Sequence, residues 1–348
     1  MSLDADQRAR LLVAKLAALV RTERDLECEP TATGSVVAAS ADGTAFVLLE
    51  DGSPGGLGGA LLWASRREAE ALVLFVDSDA GRLARLASYF DTPTLPIQVR
   101  AVTGATSIEA TPEAAPAPID GLVGASTDGI DEPADGIDEI VEMLRAEGLE
   151  VVVEHGVLRG EVLGLEVARA VVWPAEVGGD DRVHLEAGVG RFDRDAVAAV
   201  HPDEDPAVAL ARSTDAVRRH RYPGAPAHPL SLLARERWLR ADLLADPSLV
   251  GAASLRPVDM TTEPAGMKDT HPAAAVGETG DGEALLVICS TGFDLALVPL
   301  AADTRALHDP TARLVIAVPE RDLHAATAEL IGLLAVPAEL VAVPTGWG

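Results

Sequence analysis

Apolar positions recur along this chain in two rhythms, every second residue and every third or fourth, and their order predicts short strands alternating with helices. Between 7 and 23, Leu11, Leu12, Leu16, Leu19 and Val20 fall at helical spacing, which predicts an amphipathic opening helix after the capping candidates Asp4 and Asp6. Extended segments follow at 34–40 and 44–50. The glycine-rich turn DGSPGGLGG then leads to a helix over 60–69, a buried-type strand at 71–77, a helix at 80–90 and a strand at 97–102.

The same pattern returns near the C-terminus. Residues 72–104, LVLFVDSDAGRLARLASYFDTPTLPIQVRAVTG, lie without a gap over 314–346, LVIAVPERDLHAATAELIGLLAVPAELVAVPTG, and 44–66 has the same length and order of parts as 283–305. Internal repetition decides architecture, so the expected fold is α/β, with two related modules arising by internal duplication. Each module is expected to be a small mixed sheet flanked by helices. The second start is placed at 137–154, IDEIVEMLRAEGLEVVVE, with the next strand at 160–173. Another strand is expected in DRVHLEAGV at 181–189, and helices over 206–220 and 230–245. The predicted organisation is a first module at 1–104, a linker at 105–135, and a second module at 136–348 carrying an insertion at about 175–280.

Composition supports the linker. From Ala101 to Leu144 there is no Lys or Arg, acids accumulate among Ala, Pro and Gly, and DGIDE occurs twice; such a segment buries too little apolar surface to fold alone. The 348 residues, 48% of them hydrophobic, suffice for two ordinary cores. A formal net charge of -27 repels nucleic acid and anionic membranes at long range and suits basic partners, so nucleic acid is not a favoured ligand. Two cysteines, Cys28 and Cys289, imply no disulfide framework or cysteine zinc site. With a charged N-terminus and no membrane-length apolar stretch, a cytoplasmic protein is expected.

One segment opposes the global charge. Between 212 and 240 lie Arg212, Arg218, Arg219, Arg221, Arg235, Arg237 and Arg240 against only Asp215 and Glu236. Guanidinium forks bind phosphates and carboxylates bidentately, so Arg218, Arg219, Arg221, Arg235 and Arg237 are the candidate anion-binding residues. The competing expectation is that they pair with acids of the same chain.

The catalytic candidates are few. Glu166 and Glu186 fall on predicted strands, with Arg191, Asp193 and Arg194 just beyond; helix, strand, strand with acids and helix resembles in order the core of restriction-endonuclease-like nucleases. That resemblance covers one segment and implies Glu166, Glu186 and Asp193 as ligands of a divalent cation. The lysine such nucleases place two residues after the strand acid is absent, because Ala187 and Gly188 follow Glu186. Lys268, one of two lysines, neighbours Asp269 and His271 in a Gly- and Pro-rich stretch. GGLGG at 55–59 matches neither phosphate-loop spacing, no HExxH or GxSxG occurs, and no metal site or cofactor is predicted. The expectation is a noncatalytic soluble binding or assembly protein with an arginine-rich anion patch, the alternative a metal-dependent phosphodiesterase or nuclease relative.

Overall fold

The structure is a computed structural model, describing residues 5–20, 28–31, 35–40, 42–117, 136–173, 182–200, 204–264, 266 and 268–347. Its elements begin with α1 (Ala5–Val20), β1 (Glu29–Pro30), β2 (Val36–Ala39), β3 (Thr44–Leu49), α2 (Pro54–Ser65), β4 (Ala71–Val76), α3 (Ala80–Ser88), β5 (Ile97–Thr103) and β6 (Thr106–Glu109). There follow α4 (Ile137–Ala146), β7 (Glu150–Glu154), β8 (Val157–Val162), β9 (Leu165–Trp173), β10 (Arg182–Ala187), α5 (Gly190–Val200), α6 (Pro206–Arg218), α7 (Pro229–Leu232) and α8 (Arg235–Ala245). The chain closes with β11 (Ala252–Val258), β12 (Ala273–Thr279), β13 (Ala284–Cys289), α9 (Leu297–His308), β14 (Arg313–Pro319), α10 (Ala325–Gly332) and β15 (Ala338–Val343).

These form a mixed α/β protein with three sheets, ordered β1-β2-β3-β4-β5-β6, β10-β9-β8-β7 and β11-β12-β13-β14-β15. Two compact units are present. The first comprises residues 1–116, 292–314 and 323–340, the second 117–291, 315–322 and 341–348.

In the first unit the central strands β3, β4 and β5 run parallel, while β2 pairs antiparallel with β3 and β6 with β5. β6 lies inside the stretch expected as a linker, of which 118–135 falls outside the described residues. α1 buries Leu16 and Leu19 against Val36, Ala38, Leu48 and Phe75, with Leu12 and Val20 half-buried beside them; Leu11, expected on the same stripe, is exposed. The expected turn DGSPGGLGG is instead the start of α2. Ser53 accepts a hydrogen bond from the Gly56 amide and Pro54 takes the first turn, so capping starts the helix early despite its glycines. Gly58 has a packing reason to be there: a Cβ would lie 2.1 Å from the Leu295 carbonyl oxygen.

The two stretches matched in sequence each form strand, helix, strand: β4-α3-β5 and β14-α10-β15. The stretch expected to open the second module forms a sheet of its own. Tight turns at His155-Gly156 and Leu163-Gly164, all four residues at positive φ, fold β7, β8 and β9 back as hairpins, and β10 pairs antiparallel with β9. One long expected strand at 160–173 is thereby two. The expected helix over 230–245 is likewise two, broken at Ala234, whose φ is 45°.

The meander β7 to β10 has two unlike faces. One buries Leu158, Val162, Leu165 and Val167 against Ile140 and Leu144 of α4 and Leu210 and Val217 of α6. The other carries Glu150, Glu154, Arg159, Glu161 and Glu166. A separate core packs Trp238, Leu239 and Leu243 of α8 on Leu285, Val287 and Cys289 of β13, with Trp347. Among the described residues, no helix is long and apolar enough to cross a membrane.

Candidate functional site

The charged face of the meander begins with a conflict written into its register. Glu150 stands opposite Glu161, and Glu161 opposite Glu166, so three carboxylates line up across β7, β8 and β9; Arg159 stands opposite Arg169 in the next row. Like charges directly opposed destabilise a sheet, and here Glu161 and Glu166 are buried, so cations must come from outside the row. α8 supplies them. Arg237 and Arg240, three residues apart and so on one helical face, reach down to the sheet while Trp238 and Leu239 turn to the other core.

Arg240 donates to Glu154 and, at 3.4 Å, to Glu161; Arg237 pairs with Glu154 at 2.7 Å and Glu161 at 3.8 Å; Arg159 donates to Glu154 at 3.1 Å. Burial works to raise the Glu154 carboxyl, but Arg240, Arg237 and Arg159 outweigh it and hold the group at about 2. Glu161 sits deeper with fewer close donors, and burial pushes it above the ordinary range despite Arg240. Glu150, half-buried beside Glu161, is pushed up to about 7, chiefly by burial. Gly164 admits this packing, since a Cβ there would meet the Arg237 backbone at 2.3 Å.

Glu166 is caged by three guanidiniums. Arg169 donates Nε at 2.7 Å and Nη2 at 3.0 Å, Arg194 donates Nη1 at 2.8 Å, and Arg159 Nε lies 3.3 Å away. Arg194 also faces Glu186 at 3.6 Å, so a guanidinium occupies the place between Glu166 and Glu186 that a shared metal ion would take. Asp193 turns away and accepts from the Val189 amide at 2.7 Å, stabilising the start of α5. Among the described residues no group of three His, Cys, Asp or Glu side chains is placed to hold a metal ion.

Beyond this cage opens a cleft of about 600 Å³. Arg159, Glu166, Arg194 and Glu236 form its buried floor with half-buried Arg169 and Arg237, and the more exposed Glu186, Arg191, Asp195, Glu263 and Asp269, with His271, complete the lining and form its lip. His271 donates Nδ1–H to the Pro272 carbonyl at 2.9 Å, leaving Nε2 to accept from the Thr262 hydroxyl at 3.0 Å; burial lowers its pKa and keeps it neutral. Phe192, 91% exposed, follows Arg191 in α5.

The five arginines singled out in sequence are placed as follows. Arg237 reaches the cleft floor, already paired. Arg221 is 1% exposed and donates to the carbonyls of Leu163, Leu230, Leu233 and Ala234, satisfying the end of α7 while its guanidinium lies 4.4 Å from the Trp238 ring. Arg218 donates to the carbonyls of Glu147 and Gly148 at the end of α4, Arg235 stacks over Trp347 at 5.6 Å, and Arg219 is exposed. Four of the five therefore serve internal partners. Lys268 is exposed in the turn before Asp269.

Sequence reasoning missed Glu154, Arg159, Glu161 and Arg169 altogether. The available signal was the two-residue spacing of charges in LRGEV and the three-residue spacing in LEVAR, next to apolar positions known to alternate. A second hollow, lined by Ser53, Gly55 and Gly56 with Glu50, Asp51 and Asp294, surrounds the start of α2 with acids, which disfavours a phosphate there. No family model, curated protein or solved structure matches the chain.

Proposed function

We propose that the protein is a noncatalytic binding or assembly protein, and that its recognition surface is the charged cleft of the second unit, to which Arg237 of the 212–240 run contributes, rather than the exposed part of that run around Arg219. The observation that carries this reading is the cage itself. Guanidiniums on the cleft floor are fixed from behind by buried Glu154 and Glu166, so a ligand meets donors already ordered, and little rotamer entropy is lost on binding. Exposed Phe192 follows Arg191, and Phe and Arg are both enriched at protein interfaces. The matched strand–helix–strand stretches are read as an internal duplication that supplies scaffold, and the chain, with both cysteines free, as a cytoplasmic protein.

The test is titration with single-stranded DNA, RNA and a peptide panel at low and high salt, followed by amide NMR with magnesium present. Peptides are expected to shift signals from 186–195 and 263–271, and nucleic acids to leave them still. Turnover of a phosphodiester, or no response at the cleft from any ligand class, would contradict the reading.

A further inference from the structure

Resting on that reading, we infer that the cleft takes a polypeptide segment presenting one carboxylate, from Asp, Glu or a chain terminus, to Arg169, with basic side chains on either side. Three observations carry the inference. First, the connected ion-pair set behind the cleft contains five arginines, 159, 169, 194, 237 and 240, against four glutamates, 154, 161, 166 and 186. The guanidiniums at this face thus outnumber by one the carboxylates they contact directly.

Second, the donors that remain face outward. Arg169 spends Nε and one Nη2 hydrogen-bond direction on Glu166, and its side chain is 30% exposed, the most open of the caged three. A guanidinium carries five N–H donors, so one edge is left for a second carboxylate. Arg191 at the lip, 86% exposed and only loosely paired with Asp195 at 3.6 Å, is able to turn onto the same group.

Third, the lip has the opposite sign. Glu186, Asp195, Glu263 and Asp269 stand around the opening, so a ligand with spread negative charge, such as nucleic acid or a polyacidic tail, meets repulsion on approach. A single carboxylate between lysines or arginines satisfies both floor and lip. The net charge of -27 then steers such a segment toward the molecule.

The experiment uses the full chain and fluorescein-labelled Lys-Ala-Glu-Ala-Lys peptides read by anisotropy, with Gln in place of Glu and with Glu in place of both Lys as the two controls. The central Glu peptide is expected to bind about tenfold more tightly than the Gln peptide, the all-acidic peptide more weakly than either, and all binding to fall with salt. Arg169→Ala is expected to erase the Glu-over-Gln preference; Arg191→Ala, at an exposed position that does not bear on folding, to reduce it. Equal affinity for Glu and Gln peptides, with cleft signals still shifting, would overturn the inference and leave the binding reading standing. Silence of the cleft toward every peptide would overturn both. Tighter binding of RNA or of a phosphopeptide that lacks basic residues would assign the floor to phosphate and overturn the inference.

Discussion

Replacing Arg240 by Met tests whether charges, rather than apolar contact, hold α8 to the meander. Arg240 is 1% exposed and contacts Glu154 and Glu161, which are 4% and 1% exposed. Removing one partner of a buried ion pair costs about 3–5 kcal/mol because the other charge is left unpaired. Glu154 keeps Arg237 and Arg159 at 2.7 and 3.1 Å, whereas Glu161 keeps only Arg237, at 3.8 Å. The loss therefore falls mainly on Glu161, and about 3 kcal/mol is expected at neutral pH. Urea unfolding followed by tryptophan fluorescence reads it, since Trp238 and Trp347 pack in the core beside α8. Glu161→Gln in the Arg240→Met background removes the unpaired charge and is expected to recover about half of the loss. Two results would refute the reasoning: Arg240→Met within about 0.5 kcal/mol of the parent, or a double variant less stable than Arg240→Met alone.

Three further outcomes follow from the same geometry. Glu150 has a folded pKa of about 7 against an ordinary 4.5, so the folded state holds its proton more tightly; stability from this group is greatest at low pH and is lost as pH rises from about 4.5 to 7. Glu150→Gln should therefore stabilise the protein above pH 7, by about 1 kcal/mol after discounting for its partial exposure, and flatten a stability profile measured across that range. Gly58→Ala should destabilise by about 2–3 kcal/mol, because its Cβ would meet the Leu295 carbonyl, while Gly59→Ala, with nothing nearer than 3.7 Å, should stabilise by about 0.5–1 kcal/mol; thermal unfolding of the two variants separates packing from helix propensity. Gly164→Ala should weaken α8 docking by forcing the turn off the Arg237 backbone, seen as faster amide exchange in α8 and β8.

Much of the scaffold was legible in the sequence, because β4-α3-β5 and β14-α10-β15 bury their apolar residues at ordinary strand and helix periods. β11 and β12 were not. Their sequences, AASLRPV and AAAVGET, are dominated by small residues that make strand and loop look alike in hydrophobicity. The meander was legible as strands but misassigned, since its hairpin turns rest on Leu163 and His155 at positive φ, a conformation side chains of that type seldom signal. Glu166 and Glu186 were picked out and do stand at the cleft. Their partners escaped notice because charged residues on alternate strand positions read as a solvated face, whereas here that face is covered by α8. The arginine run was visible because composition reports charge, whereas the internal partners of Arg218, Arg221, Arg235 and Arg237 are set by register and packing far away in sequence.

The most direct test of where this protein engages an anion is a comparison of Arg169→Ala with Arg219→Ala, using anisotropy of the Lys-Ala-Glu-Ala-Lys peptide. Arg219 lies exposed in the arginine run and Arg169 on the cleft floor. Arg169→Ala is expected to lose about tenfold in affinity and Arg219→Ala to lose none. A loss confined to Arg219→Ala would return the binding surface to the arginine run and contradict the assignment of the cleft.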